Sequence, residues 1–376
     1  MRAPHQIQDL VTVTKPSLPP IEDFIPLLRQ IWDSKVLTNA GPFHNKLEKA
    51  LTSYLQVPEI SLFTNATIAL VCALQALRIT GEVLTTPYSF VATSHALLWN
   101  NIKPVFVDID PTTLNIDHSK IESAITPQTT AILAVHCYGQ PCNIAAIEQV
   151  AERYNLRVIY DAAHAFGVST SEAPILSAGD LSVLSFHATK VFQTFEGGAI
   201  ISGNAKMKKR IDYLKNFGFA DEVTVVAPGI NGKMSEFNAA VGLLQLEHFE
   251  EYRRARKAIF ETYVNELSDL KTIEVVGTRW THNSNYGYFP ILVSRDAPIT
   301  RDELYTQLRD AGYHARRYFY PLISDMPMYR GLASSRPENL PISRDISSRV
   351  LCLPIFEGLP QSTVAHICST IRNAMT

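Results

Sequence analysis

The sequence predicts an α/β fold: a seven-stranded, mostly parallel sheet flanked by helices, followed by a smaller C-terminal α+β domain. Three observations predict it. Short apolar runs without polar alternation recur through the first two thirds of the chain, as in strands buried on both faces. Helical segments separate several of these runs, and strand–helix–strand repetition marks a parallel sheet covered on both sides. Near Met234 the texture changes to one long stretch rich in Ala, Leu, Glu and Arg.

The candidate strands span 60–64, 82–86, 104–109, 131–136, 157–161, 181–186 and 198–202. A helix is expected at 43–55, with Leu47, Leu51 and Tyr54 at three- and four-residue spacing. An Ala/Leu-rich helix is expected at 67–76, and another at 144–154 after the turn at Pro141. Only residues 187–197 separate the last two strands, which is short for a parallel crossover, so an antiparallel strand can enter here. A helix over 235–267 is followed by strands at 288–293 and 350–353 and a helix at 301–311. The expected division is 1–235 for the large domain and 236–376 for the long helix and small domain. The first ~25 residues are free to pack on the small domain.

Composition narrows the function classes. A chain of 376 residues has room for two to three domains of about 150 residues. Its 34 Lys+Arg nearly balance 36 Asp+Glu, so it lacks the positive excess of a broad polyanion binder. With 46% hydrophobic residues and a net charge of -2 it does not have the profile of a disordered chain. No apolar run approaches the ~18 residues of a membrane span, and residues 1–16 lack the apolar core of a secretory signal. The expectation is a soluble cytoplasmic protein that binds neither nucleic acid nor membrane.

Cys72, Cys137, Cys142, Cys352 and Cys368 are odd in number and widely spaced, which fits buried reduced thiols better than a disulfide framework. His136, Cys137 and Cys142 have no second pair to complete a tetrahedral metal site, so no metal is expected. The dinucleotide, P-loop, nucleophile-elbow and HExxH fingerprints are missing from the sequence. Asp108 and Asp110 read as a strand end entering a turn at Pro111.

The chemistry concentrates between Arg157 and Gly198. Asp161 ends one expected strand and Lys190 follows another, where open α/β sheets place their ligands. A lysine at an apolar sheet edge can lose its proton and form a Schiff base. An aspartate facing a pyridine nitrogen is what pyridoxal phosphate needs as an electron sink. Taken singly, Asp161 reads equally as a helix cap and Lys190 as a solvated loop residue.

The combination is more specific. SFHATK followed by EGG resembles the cofactor-lysine segment of the DegT-type nucleotide-sugar aminotransferases, fold type I enzymes that use pyridoxal phosphate. VLTNAGPF, TNATIAL, PYSFVAT, VFVDID, DAAHAFG, GINGKMSEFNAAVGLLQLE and RRYFYPL also occur in that family's order, so the resemblance covers nearly the whole chain. It implies pyridoxal 5'-phosphate held as an internal aldimine by Lys190, with Asp161 paired to the pyridine nitrogen. It implies that Phe90 stacks on the pyridine ring and that His164 packs near the ring hydroxyl, a satisfied core histidine being the alternative.

Asn65, Ala66 and Thr67 open a helix whose free N–H groups suit a phosphate. The family usually has Gly where this chain has Ala66. Ser185 matches a phosphate-contacting serine, and His187 flanks the same edge. Asn231 matches an asparagine that reaches the phosphate of a neighbouring subunit's cofactor, which implies a homodimer with shared active sites; a plain Gly-Asn turn is the alternative. Asn39, Gly41, Tyr318 and Tyr320 resemble positions lining the sugar-nucleotide pocket. Arg316 and Arg317 suit a diphosphate, or a solvated surface.

The resemblance implies ping-pong transamination between glutamate and a nucleotide-linked keto-sugar. Lysine at 190 distinguishes the chain from the family's dehydratase branch, which carries histidine there. His187–Ala188, in place of tyrosine-proline, resembles the C4-aminating, viosamine-forming branch. That branch makes dTDP-4-amino-4,6-dideoxyglucose for surface polysaccharide such as O-antigen. C3 amination of a dTDP-3-keto-6-deoxyhexose, a non-catalytic cofactor-binding homologue and a cofactor-free nucleotide-binding module remain alternatives.

Overall fold

The computed structural model describes residues 10–170, 175–279 and 282–375. Its strands are β1 (Val11–Thr12), β2 (Glu59–Phe63), β3 (Glu82–Thr85), β4 (Lys103–Phe106), β5 (Thr129–Val135), β6 (Arg157–Asp161), β7 (Leu181–Ser185), β8 (Gly198–Ser202), β9 (Ile273–Val275), β10 (Phe289–Val293), β11 (Tyr313–His314) and β12 (Val350–Leu353). Its α-helices are α1 (Ile21–Ser34), α2 (Pro42–Leu55), α3 (Ala66–Ala76), α4 (Ala92–Trp99), α5 (His118–Ile121), α6 (Ile144–Tyr154), α7 (Ala205–Leu214), α8 (Glu236–Leu267), α9 (Arg301–Asp310), α10 (Pro341–Arg349) and α11 (Gln361–Met375).

Seven strands form one sheet in the order β2-β8-β7-β6-β5-β3-β4. The β3–β4, β3–β5, β5–β6 and β6–β7 pairs are parallel. β8 is antiparallel to both β2 and β7. The antiparallel strand enters at the short 187–197 connection, where the chain returns directly to the neighbouring position instead of crossing over through a helix.

Both faces of the sheet are buried, which is why its strands read as apolar runs. Leu62, Leu184 and Ile201 join one cluster with α2 and the start of α8. Phe63, Val183 and Ile200 point the other way, into a cluster with α3 and α7. Each fully buried side chain of this size contributes about 1.5–3 kcal/mol.

Helix α8 belongs to two cores. Ala239, Val241 and Phe249 pack beside the large sheet, while Ile259, Tyr263 and Leu267 pack with β10, β12 and α11. The Ser235 hydroxyl caps its start by accepting from the Asn238 N–H at 3.2 Å. Beyond it, β12, β10 and β9 form an antiparallel three-stranded sheet. A capping box between Thr300 and Glu303 starts α9. The N-terminal segment returns to this half: β1 pairs in parallel with β11, and the Ile355 N–H donates to the Val13 carbonyl at 3.0 Å.

The run expected to be a strand to Ile109 leaves the sheet after Phe106 and turns. Asp110 Oδ1 accepts from the Thr112 and Thr113 N–H groups at 2.9 and 2.7 Å. Asp108 accepts from the Ile342 and Ser343 N–H groups at 3.0 and 2.8 Å and from the Ser343 hydroxyl at 2.6 Å. It therefore fastens the start of α10 to the large sheet. All five cysteines are buried.

Candidate active site

The carboxyl ends of β5, β6 and β7 meet the start of α3 and residues 287–288 and 316–319 around a pocket of about 370 Å³. Asp161 ends β6 and is buried. Its Oδ2 accepts from the Thr93 hydroxyl at 2.7 Å and its Oδ1 from the Ala163 N–H at 3.1 Å. Burial raises its pKa above the ordinary carboxylate value, against the pull of these two bonds and of Lys190.

Lys190 lies in the connection between β7 and β8. The base of that loop is closed by the Phe186 N–H donating to the Gly197 carbonyl and the Thr194 N–H donating to the Phe186 carbonyl, both at 2.9 Å. The amine is open to the pocket, yet protein packs closely enough around it for lost hydration to dominate. Burial lowers its ammonium to about 8, and Asp161 partly offsets this. Lys190 Nζ donates to Tyr288 Oη at 3.2 Å.

His164 is buried beside the pair. Its Nδ1 accepts from the Tyr138 N–H at 3.1 Å, so the proton of the neutral ring is on Nε2. Burial, and then the charge of Lys190, hold it well below the ordinary histidine value. Phe90 lines the pocket with 61% of its surface exposed, an unusual state for a phenylalanine and one that leaves a face free for a planar ring.

The same pocket contains an anion cradle. The Asn65 side chain caps α3 by accepting from the Ile68 N–H at 2.9 Å, which leaves the earlier N–H groups of Ala66 and Thr67 at the pocket wall. Ser185 ends β7 at the same edge. A Cβ at Gly198 would lie 2.7 Å from the Ala66 nitrogen, so glycine keeps this cradle open.

A profile of the DegT/DnrJ/EryC1/StrS aminotransferase family matches residues 20–372. The chain belongs to this family. Among its relatives are two dTDP-4-amino-4,6-dideoxy-D-glucose transaminases. The Escherichia coli protein is 54% identical over 366 residues, covering 97% of this chain and 99% of that one. The Shigella dysenteriae protein is 54% identical over 362 residues, covering 96% and 98%. The crystal structure of DesI in the presence of its TDP-sugar product matches with a TM-score of 0.93 at 33% identity, covering 98% of this chain and 94% of that one.

Members of this aminotransferase family depend on pyridoxal phosphate. The pocket suits that group. Its lining includes a buried carboxylate, a glycine-cleared helix N-terminus and an exposed aromatic face.

The aminotransferase pocket gathers Asn65, Ala66, Thr67, Phe90, Asp161, His164, Ser185, His187, Lys190, Arg316 and Tyr318. Asn39, Gly41, Tyr320 and Asn231 lie outside it within one chain. Asn39 borders a second cavity of about 320 Å³ with His44, Glu48, Lys208, Asp212 and Lys215. Gly41 precedes α2, where Glu236 accepts from the Phe43 and His44 N–H groups at 2.7 and 2.8 Å. Tyr320 lies beneath the guanidiniums of Arg301 and Arg317 at 4.8 and 5.1 Å. Arg317 pairs with Asp302 at 2.9 Å, whereas Arg316 reaches the pocket with its guanidinium over the Tyr318 ring at 5.8 Å. Asn231 is exposed and bridges to Asn216.

Sequence reasoning missed Thr93, Tyr138, Glu196, Gly198, Tyr288 and Phe319. Thr93 ends PYSFVAT, Glu196 and Gly198 belong to the EGG that follows the lysine segment, and Phe319 lies in RRYFYPL, so motifs already in view held these four; no such motif holds Tyr138 or Tyr288.

Proposed function

We propose that the chain transfers an amino group from glutamate to C4 of dTDP-4-keto-6-deoxyglucose, giving dTDP-4-amino-4,6-dideoxyglucose for a surface polysaccharide such as O-antigen. The observation that carries this reading is 54% identity to the Escherichia coli dTDP-4-amino-4,6-dideoxy-D-glucose transaminase across 97% of the chain. A pocket uniting Lys190 and Asp161 supports it.

Pyridoxal phosphate, when bound, supplies the electron sink that stabilises charge at the donor's α-carbon and carries the amino group between substrates. Lys190 is the amine that bonds it. Asp161, fixed on both oxygens by Thr93 and Ala163, would pair with the pyridine nitrogen and keep a proton there. His164 would offer its Nε2–H to the ring hydroxyl. Ser185 and the N–H groups of Ala66 and Thr67 would hold the phosphate. Phe90 would cover a ring face and exclude water from it.

Lys190, with an ammonium near 8, exists in both charge states close to neutral pH. It would take the proton from the donor α-carbon and deliver it, from the same face, to the cofactor carbon bonded to the amino nitrogen, acting first as base and then as acid. Arg316 suits the diphosphate of the sugar nucleotide, since a guanidinium presents paired donors to phosphate oxygens.

The assembly proposed is a homodimer. Residues 217–230 expose Phe217, Val225 and Val226, with Val223 at 86% exposure, a concentration of apolar surface that a partner would cover. Asn231 follows directly and is the residue proposed to serve the second subunit's phosphate.

Mass spectrometry and NMR of products from dTDP- and UDP-linked keto-sugars with glutamate test the reading. The C4 amine of the dTDP sugar is expected. A C3 amine, or turnover only with UDP sugars, overturns it. Lys190→Ala is expected to lower kcat by at least about a thousandfold. Purified protein is expected to be yellow with a visible band that borohydride removes.

A further inference from the structure

We propose that Tyr288 is a positioning residue that holds the amine of Lys190 at the reacting side of the pocket whenever that amine is free. The inference rests on the assignment of Lys190 above. Tyr288 comes from a different part of the chain, the residue before β10 in the three-stranded sheet. Its Oη is the hydrogen-bond partner of Lys190 Nζ, at 3.2 Å, across 98 residues of sequence.

The phenol is held on several sides. Its ring centroid lies 4.5 Å from His164, 5.5 Å from Tyr138 and 6.2 Å from Tyr318. Those rings fix the direction of the hydroxyl without competing for it. His164 Nδ1 is already engaged by the Tyr138 N–H, and the Tyr138 hydroxyl bonds to Tyr88 at 2.6 Å. Burial keeps the Tyr288 phenol protonated, well above its ordinary value. A phenol accepts from an ammonium and donates to a neutral amine. It can therefore stay with Lys190 in both charge states of the proton transfer. A long lysine side chain otherwise gains rotamer freedom when released, and its amine drifts from the reacting carbon.

The titratable groups facing the pair include Asp161, His164, Tyr138, Tyr318, Cys137, Cys352 and Arg256. A charged hydrogen bond is stronger than a neutral one. Loss of the hydroxyl thus destabilises the ammonium more than the amine.

The test compares Tyr288→Phe, which keeps the ring and removes the oxygen, with Tyr288→Gln, which keeps a polar oxygen and removes the ring. In cofactor-free protein, Lys190 is trapped by pyridoxal phosphate and borohydride across a pH series and located by peptide mass. The expected result for Tyr288→Phe is a trapping midpoint lowered by about half a unit or more. In reconstituted enzyme kcat falls about tenfold, KM for the sugar nucleotide changes less than twofold, and Tyr288→Gln retains more kcat than Tyr288→Phe. An unmoved midpoint, a Tyr288→Gln enzyme no better than Tyr288→Phe, or loss confined to melting temperature and cofactor retention overturns the proposal. If Tyr288→Phe does not fold, Tyr288→Leu replaces it in the same comparison. Failure to trap Lys190 in the unaltered protein would instead overturn the catalytic assignment of the lysine.

Discussion

Two buried aspartates stand at the carboxyl edge of the same sheet and do different work. Asp161 ends β6; Asp108 follows β4 by two residues. Asp108 accepts three hydrogen bonds from residues 342 and 343 and lies 3.3 Å from Lys120 Nζ. Its acceptor directions are used up by the protein. Among the described residues Asp161 accepts from Thr93 and Ala163 and keeps part of its carboxylate for the pocket. Topology brings both residues to the edge where α/β sheets bind ligands. What separates a clamp from a reactive group is the hydrogen-bonding capacity left unspent.

That contrast can be broken by substitution. Asp161→Asn preserves shape and removes charge, and its kcat is expected to fall about 100- to 1000-fold with little change in melting temperature. Asp108→Ala should do the reverse. Three donors lose a buried acceptor, so denaturant unfolding should show a loss of about 3 kcal/mol, with kcat within about threefold at 25 °C. A large kcat loss in Asp108→Ala without destabilisation would erase the distinction.

Acidity sharpens it further. Single-turnover rates with glutamate should rise with pH through about 8 as the freed Lys190 loses its proton. Asp161→Asn should move that midpoint down, because the charge supporting the ammonium is gone; Asp108→Ala should leave it in place. The depressed Lys190 value also makes the cofactor-free protein gain stability as pH rises from about 8 toward 10.5, since the unfolded chain holds the extra proton over that range. The smallest effect belongs to the anion cradle: Asn65→Ala should cost about 1 kcal/mol by uncapping α3 and weaken phosphate retention severalfold in equilibrium dialysis.

The large sheet was legible because its strands are apolar on both faces, so each appears as an uninterrupted run. Helix α4 was not. It begins after Val91 without a capping side chain, and it runs Thr93, Ser94 and His95 together ahead of the apolar Ala96–Trp99, so no face recurs at helical spacing. β9 is only Ile273–Val275, too short for any pattern. Lys190 and Asp161 were legible through flanking motifs and through their places after strands. Tyr288 was not, since it reaches Lys190 across 98 positions and nothing local marks it; Thr93 ends PYSFVAT, but its partner Asp161 is 68 positions away, so the motif did not disclose the pairing. Gly41 and Tyr320 were marked by motifs alone; within one chain Glu236, the first residue of α8, holds the start of α2 beside Gly41, and the Arg301 and Arg317 guanidiniums lie above Tyr320.

The antiparallel β8 has a consequence for assembly of the site. Because it returns beside β7, the lysine rides on a hairpin whose ends, Phe186 and Gly197, meet across a short loop. Closing so small a ring surrenders little chain entropy, and the cost grows only with the logarithm of length. The aspartate's setting is non-local, completed when Thr93 arrives from a distant helix. One half of the chemistry is thus written into a local fold and the other into global topology, so damage to remote packing should disorder the acid's surroundings before it disturbs the lysine's.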